Sequence, residues 1–146
     1  MDGYEKYTRL LEMTNGDPWR FSSLKVSKQK YAAKRRGIDW TLNDDRLIKK
    51  IAESTHCAIS GRELQFEINN IDSPSIDRKN SNLGYSARNV QIVTTAINRA
   101  KMDLSDAEFI KLCCDVAANN GWVKRDIGVE LLTNELNNYQ NKPVSN

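Results

Sequence analysis

The chain predicts an α+β fold, mostly helical, with helices packed around one small strand–loop–strand–helix unit. Three observations carry that reading. The β-branched run Val90-Gln91-Ile92-Val93 passes straight into a helical pattern from Thr94 to Lys101, a change of hydrophobic period with no turn between. Ahead of it, Ser75-Ile76-Asp77-Arg78, introduced by Pro74, reads as a strand, and the Asn-, Ser- and Gly-rich stretch 79–88 as the loop between the two. Helical patterns with their own start and stop signals fill most of what remains. A two-stranded unit is too small to hold itself together, so the flanking helices must supply its packing.

In chain order, Tyr4 to Met13 reads as a first helix, with Tyr4, Tyr7, Leu10 and Leu11 near helical spacing, ended by Asn15-Gly16-Asp17-Pro18. A second helix runs from about Trp19 or Ser23 to Arg36 and stops at Gly37. Ile38 to Thr41 is short and β-like. Asn43 caps a helix through about Glu53, with Asp44 and Asp45 in its first turn and Leu47, Ile48 and Ile51 on its core face. His56-Cys57-Ala58-Ile59-Ser60-Gly61 makes a tight turn leading into Glu63–Phe66, and the polar residues Glu67, Asn69, Asn70 and Asp72 extend the hairpin or add a carboxylate near it. After the central unit, Ser105-Asp106-Ala107-Glu108 is a capping box. The helix it opens is expected to turn Phe109, Ile110, Cys113, Val116 and Ala117 inward and to end at Asn119-Asn120-Gly121, with Trp122 packing back on the core. A final helix is expected over 126–139, followed by a loose Asn-rich tail to Asn146.

With 146 residues, 39% of them hydrophobic and 28% charged, the composition is that of one globular domain. Residues 1–54 form a helical, basic part, 55–102 the strand–loop–strand–helix unit, and 103–146 the C-terminal helices. No apolar run approaches membrane-spanning length, and Met1-Asp2-Gly3-Tyr4-Glu5 lacks a basic-then-apolar signal, so a cytoplasmic location is expected. Three cysteines, two of them adjacent, do not suggest a disulfide framework. A structural zinc built from His56, Cys57, Cys113 and Cys114 lacks a CxxC knuckle, and Cys57 reads instead as a small buried hydrophobe.

The net charge of +3 is mild, but its distribution is not. Between Arg20 and Arg36 stand seven basic residues and no acidic one: Arg20, Lys25, Lys28, Lys30, Lys34, Arg35 and Arg36. Exposed helices commonly gain from i,i+4 pairs with acids, and contact with a phosphate backbone explains why the acids are missing. A solvated face is the plainer alternative.

Polar residues sit oddly in the central unit for a purely structural hairpin. Asp77 ends the first strand, Asn89 begins the second, and Asn98 lies inside the helix, where its amide competes for backbone hydrogen bonds. A carboxylate and an amide so placed can share one hard cation through their oxygens; equally, they can cap turns.

These residues resemble the HNH, or His-Me finger, nucleases, whose site is a ββα unit around one divalent metal. The family pattern of Asp-His, Asn and Asn-x-x-Lys falls in register with Asp77-Arg78, Asn89 and Asn98-Arg99-Ala100-Lys101. In particular the chain is similar to a branch common among phage-type proteins, through Cys57-Ala58-Ile59-Ser60-Gly61, Ser73 to Arg78, Gly84-Tyr85, Asn89-Val90 and Asn98 to Lys101, over roughly Gly37 to Val116. The resemblance implies a metal-dependent endonuclease, DNA favoured over RNA, located in the host-cell cytoplasm if phage-encoded. Asp77 and Asn98 would hold one Mg²⁺ or Mn²⁺, Asn89 would fix the loop or orient the catalytic group, and Arg78 and Lys101 would clamp phosphate. Lys25, Lys28, Lys34, Arg35, Arg36, Arg88 and Arg99 would contact the backbone. The departure is Arg78, which stands where the family puts its general-base histidine and cannot accept a proton. His56, the chain's one histidine, is the natural substitute by side-chain type. Arg78 also favours an alternative, an HNH-fold module that grips nucleic acid, or blocks a nucleic-acid enzyme, without cutting. A weaker third reading is a small regulator or assembly protein that uses the basic helix alone. Oligomeric state is open.

Overall fold

The computed structural model describes residues 3–122; the helix expected over 126–139 and the tail lie outside them. Five helices and two strands follow in the order α1 (Gly3–Thr14), α2 (Pro18–Arg35), α3 (Asp44–Ala52), β1 (Pro74–Arg78), β2 (Val90–Thr94), α4 (Thr95–Lys101) and α5 (Asp106–Asn119). The chain divides into two compact units, Met1–Asp103 and Leu104–Asn146.

In the first unit, α2 begins earlier than its periodicity suggests. Asp17 is its N-cap, its carboxylate accepting from the N–H groups of Trp19 and Arg20 at 3.0 Å each, and Pro18 occupies the first turn, where its missing N–H is no loss. The Asn-Gly-Asp-Pro stretch therefore stops one helix and starts the next. Asn43 caps α3 through its bond from the Arg46 N–H, and Leu47 and Ile51 are buried on its inner face.

The strands pair antiparallel, with Pro74 opposite Thr94, Ser75 opposite Val93, Ile76 opposite Ile92 and Asp77 opposite Gln91. Alternation puts Ile76 and Ile92 on one face, where they join a core built from Val26 and Ala33 of α2, Leu47 and Ile51 of α3, and Cys57, Leu64 and Tyr85. The opposite face carries Ser75, Asp77 and Gln91 and is covered by α4. Cys57 is buried as expected, and it is also an acceptor: its Sγ takes the Thr94 N–H at 3.3 Å and the Ser60 N–H at 3.4 Å, tying the 57–61 turn to the end of β2. Burial pushes the thiol up, but the bonds from Ser60, Thr94 and Ile59 outweigh it and leave the thiol below its ordinary value.

Residues 38–41 do not form a strand. They make one parallel bridge, Trp40 to Tyr85, with Tyr85 N–H donating to Asp39 O at 2.8 Å and Thr41 N–H to Tyr85 O at 2.9 Å. The contact is close because Gly84 has no side chain: a Cβ there would lie 2.7 Å from Asp39 O and 2.9 Å from Asp39 Cβ. Gly84→Ala is therefore expected to destabilise by about 1–3 kcal/mol, the usual range for overpacking, read as a lowered urea midpoint.

In the second unit, α5 opens with the capping box of Ser105 and Glu108. Its inward stripe is only partly as expected. Phe109 is buried and Ile110 and Ala117 are half-buried, but Cys113 and Val116 are exposed. Trp122 is 85% exposed rather than packed, just past the helix stop at Gly121, with its N–H donating to Ala117 O at 3.0 Å.

Candidate functional site

The site is built where α4 crosses the polar face of β1. Residues three apart on a helix share a face, as do residues two apart on a strand, so Asn98 and Lys101 come down onto Ser75 and Asp77. Asn98 Nδ2 donates to Ser75 Oγ at 2.7 Å. Lys101 Nζ lies 3.3 Å from Asp77 Oδ1 and 3.2 Å from Oδ2, and donates to Arg78 O at 3.1 Å. From the neighbouring strand, Gln91 Nε2 donates to Asp77 Oδ2 at 2.8 Å. The Asp77 side chain is 3% exposed and that of Lys101 is 0% exposed.

Lys101 is thus a correction to the sequence reading. The motif points it out toward phosphate; instead its ammonium is enclosed and directed to Asp77. Burying one charge from this pair without the other is costly, which is why the two travel together. Gln91 and Ser75 complete the cluster, and sequence reasoning does not single them out. A lone Gln inside the β-branched run Val90–Thr94 is the signal that could have found the first of them.

Arg78 and Asn89 hold the 79–88 loop from its two ends. Both N–H groups of Arg78 Nη1 are directed to carbonyls, Ser81 O and Leu83 O, at 2.8 Å each, and the guanidinium lies 5.2 Å from the buried Tyr85 ring. Asn89 is buried, accepts from the Asn80 N–H at 3.0 Å, and donates to Asn80 O at 3.0 Å and Gly84 O at 2.9 Å. Asn89 thus ties Asn80 and Gly84 of the loop to the start of β2. Arg78 is a brace before it is a phosphate clamp.

His56 does not join the cluster. Its ring is exposed, with Nδ1 2.9 Å from Thr55 Oγ1, and its backbone bridges to Glu63. The next residue, Cys57, is anchored at Thr94, whereas Asp77 faces Gln91, three residues or about 10 Å along the strand. None of the hydrogen bonds that gather Asp77, Gln91, Asn98 and Lys101 involves His56. Nor does Asp72 add a carboxylate there, since it pairs with Arg62 at 2.8 Å.

Of the other basic residues, Lys34, Arg35 and Arg36 are exposed at the end of α2, and Arg88 is exposed on the loop. Two cations of the α2 segment have acids from outside the helix, Arg20 with its cap Asp17 and Lys30 with Asp44. Lys25, Lys28 and Arg99 line one cavity in the first unit.

Asp77 and Asn98 offer the hard oxygens that Mg²⁺ or Mn²⁺ takes. Among the described residues no group of three or more His, Cys, Asp or Glu gathers around a point. The donor chemistry fits such an ion; the charge balance fits it only if the ion shares Asp77 with the Lys101 ammonium or displaces it.

Compared with known proteins, the chain is 30% identical over 127 residues to uncharacterized protein R423 of Acanthamoeba polyphaga mimivirus, a match covering 84% of this chain but 23% of that protein. No family model matches the chain. Among solved structures it is similar to the rare-cutting HNH restriction endonuclease PacI, with a TM-score of 0.54 and 19% identity over 67% of this chain and 78% of that one. At that identity the likeness shows the fold: α+β, with an HNH-like strand–loop–strand–helix unit among helices. No helix among the described residues is long and apolar enough to cross a membrane.

Proposed function

We propose that this chain is an HNH-type endonuclease module that hydrolyses phosphodiester bonds in nucleic acid, DNA before RNA. The observation that supports it best is the buried Asp77–Lys101 pair at the crossing of β1 and α4 in an HNH-like fold. A buried ion pair adds little net stability over an apolar pair of the same size, so its presence argues for chemistry rather than packing. Asp77 and Asn98 would hold a divalent ion, Mg²⁺ or Mn²⁺, which when bound supplies positive charge to the scissile phosphate and the leaving oxygen. Lys101 balances Asp77 and fixes its direction through Arg78 O. Arg78 and Asn89 keep the loop in shape, while Lys34, Arg35, Arg36 and Arg88 supply sequence-independent grip on the backbone.

The test is to incubate the protein with plasmid DNA, single-stranded DNA and RNA in Mg²⁺, in Mn²⁺ and in chelator. Cleavage that needs a divalent ion supports the module as an enzyme. Binding without cleavage under every metal supports the second reading, a non-cutting nucleic-acid module. That reading is favoured by one set of observations: Asp77 is already neutralised and Arg78 is already committed to carbonyls.

Two further outcomes follow. Replacing Lys34, Arg35 and Arg36 together with Ala is expected to flatten the slope of log affinity against log salt by up to about 2.7, at about 0.9 for each phosphate that a side chain no longer neutralises. An unchanged slope makes that end of α2 a solvated face. His56→Ala is expected to leave the cleavage rate at pH 7 within about twofold, because its ring is exposed and pairs with Thr55 rather than with a member of the Asp77 cluster. A large drop in rate, rescued at higher pH, would restore His56 as the base.

A further inference from the structure

The first unit contains a cavity of about 340 Å³ between α2, the loop before β1 and α4. Its lining includes the cations Lys25, Lys28 and Arg99 and the apolar side chains of Leu24, Ile68 and Ile71; no Asp or Glu lines it. None of the three cations has a carboxylate partner in an ion pair among the described residues. Lys25 is held below the ordinary lysine range, first by its burial and then by the charges of Lys28 and Arg99. The cavity opens to solvent, with Lys28 and Arg99 exposed at it and Lys25 half-buried; three like charges gathered there repel one another, and an anion placed among them removes that cost. A phosphate alone leaves most of the space and all of the apolar lining unused. A ligand with an anionic end and a flat apolar end uses both, and the volume is at the small end of ligand-pocket sizes, roughly 300–1,000 Å³.

We infer that this cavity binds a single nucleotide unit, its phosphate on Lys25, Lys28 and Arg99 and its base against Leu24, Ile68 and Ile71. The inference rests on the nucleic-acid reading of the chain and adds to it a specific seat for one unpaired nucleotide. The position suits that task. Ser73 lines the cavity just ahead of β1, and Asp77 lies four residues further on, about 13 Å along the strand. A strand seated in the cavity by one nucleotide would have its neighbouring phosphates near the Asp77 cluster. A base reaches such a seat only when unstacked, at a strand end or by extrusion from a duplex.

The experiment titrates the full chain with a deoxynucleoside 5′-monophosphate, the matching nucleoside and inorganic phosphate, followed by calorimetry. The monophosphate is expected to bind at least about tenfold tighter than either fragment, that is about 1.4 kcal/mol. Lys25→Met, which keeps the apolar stem, and Ile71→Trp, which fills the cavity from a residue that is 58% exposed, are each expected to weaken it by about tenfold or more with an unchanged melting temperature. Phosphate binding as tightly as the nucleotide overturns the inference, as does nucleotide binding untouched by Ile71→Trp. No nucleotide binding by a chain that still binds oligonucleotides overturns the seat and leaves the wider reading standing; failure to bind either overturns both.

Discussion

Asp77→Ala is expected to cost the fold about 3–5 kcal/mol, because it strands the Lys101 ammonium in a site with no access to water. The obvious probe of catalysis at this position is therefore confounded: absent cleavage would report an unfolded protein. Asp77→Asn keeps the shape and one acceptor oxygen but removes the counter-charge, so it too should destabilise. Pairing either change with Lys101→Met removes the stranded charge as well. In a double-mutant cycle the two substitutions should be strongly non-additive, the pair together costing far less than the sum of the single changes. Urea melts of the four proteins measure this, and additive effects would mean that the pair is not coupled.

The second large effect is at Asn89. Asn89→Ala removes three loop hydrogen bonds, two donated to Asn80 O and Gly84 O and one accepted from the Asn80 N–H. At about 1 kcal/mol each the cost is about 3 kcal/mol, before any penalty for unsatisfied buried groups. It should be felt locally first. Amide exchange is expected to accelerate over residues 80–84 while Val90 to Thr94 stays protected, because the strand pair draws its stability from the core on its other face. Arg78→Ala should loosen the same segment through Ser81 O and Leu83 O. Uniform protection in either variant would mean that the loop holds its shape without them.

Much of this architecture is legible in the sequence because it is local. The change of period between Val93 and Thr94 marks the passage from β2 to α4, and Thr94 caps the helix through the Ile97 N–H at 3.3 Å. Ser105 and Glu108 announce α5, and Asn43 announces α3, for the same reason: a cap is a contact between residues three apart. Even the early start of α2 is written in Asp17-Pro18, a pair that signals a helix start as well as a stop. What escapes a sequence reading depends on register between distant elements. Lys101 and Asp77 are 24 residues apart, and nothing near either says that the lysine turns inward rather than toward phosphate. The bridge at Trp40 reads as a strand because its partner, Tyr85, lies 45 residues on and only Gly84 lets the backbones meet. Likewise Lys25, Lys28 and Arg99 read as scattered basic residues until α2 and α4 are brought to one cavity.

That Asp77 serves chemistry, not packing, is tested most directly by cleavage of DNA by the doubly neutral protein, Asp77→Asn with Lys101→Met, against wild type at equal measured foldedness and equal DNA affinity. Wild type should cut in Mg²⁺ or Mn²⁺ and not in chelator, and the double variant should fold, bind and fail to cut. Equal cutting by the two proteins, or binding without cutting by wild type in any divalent metal, would contradict it.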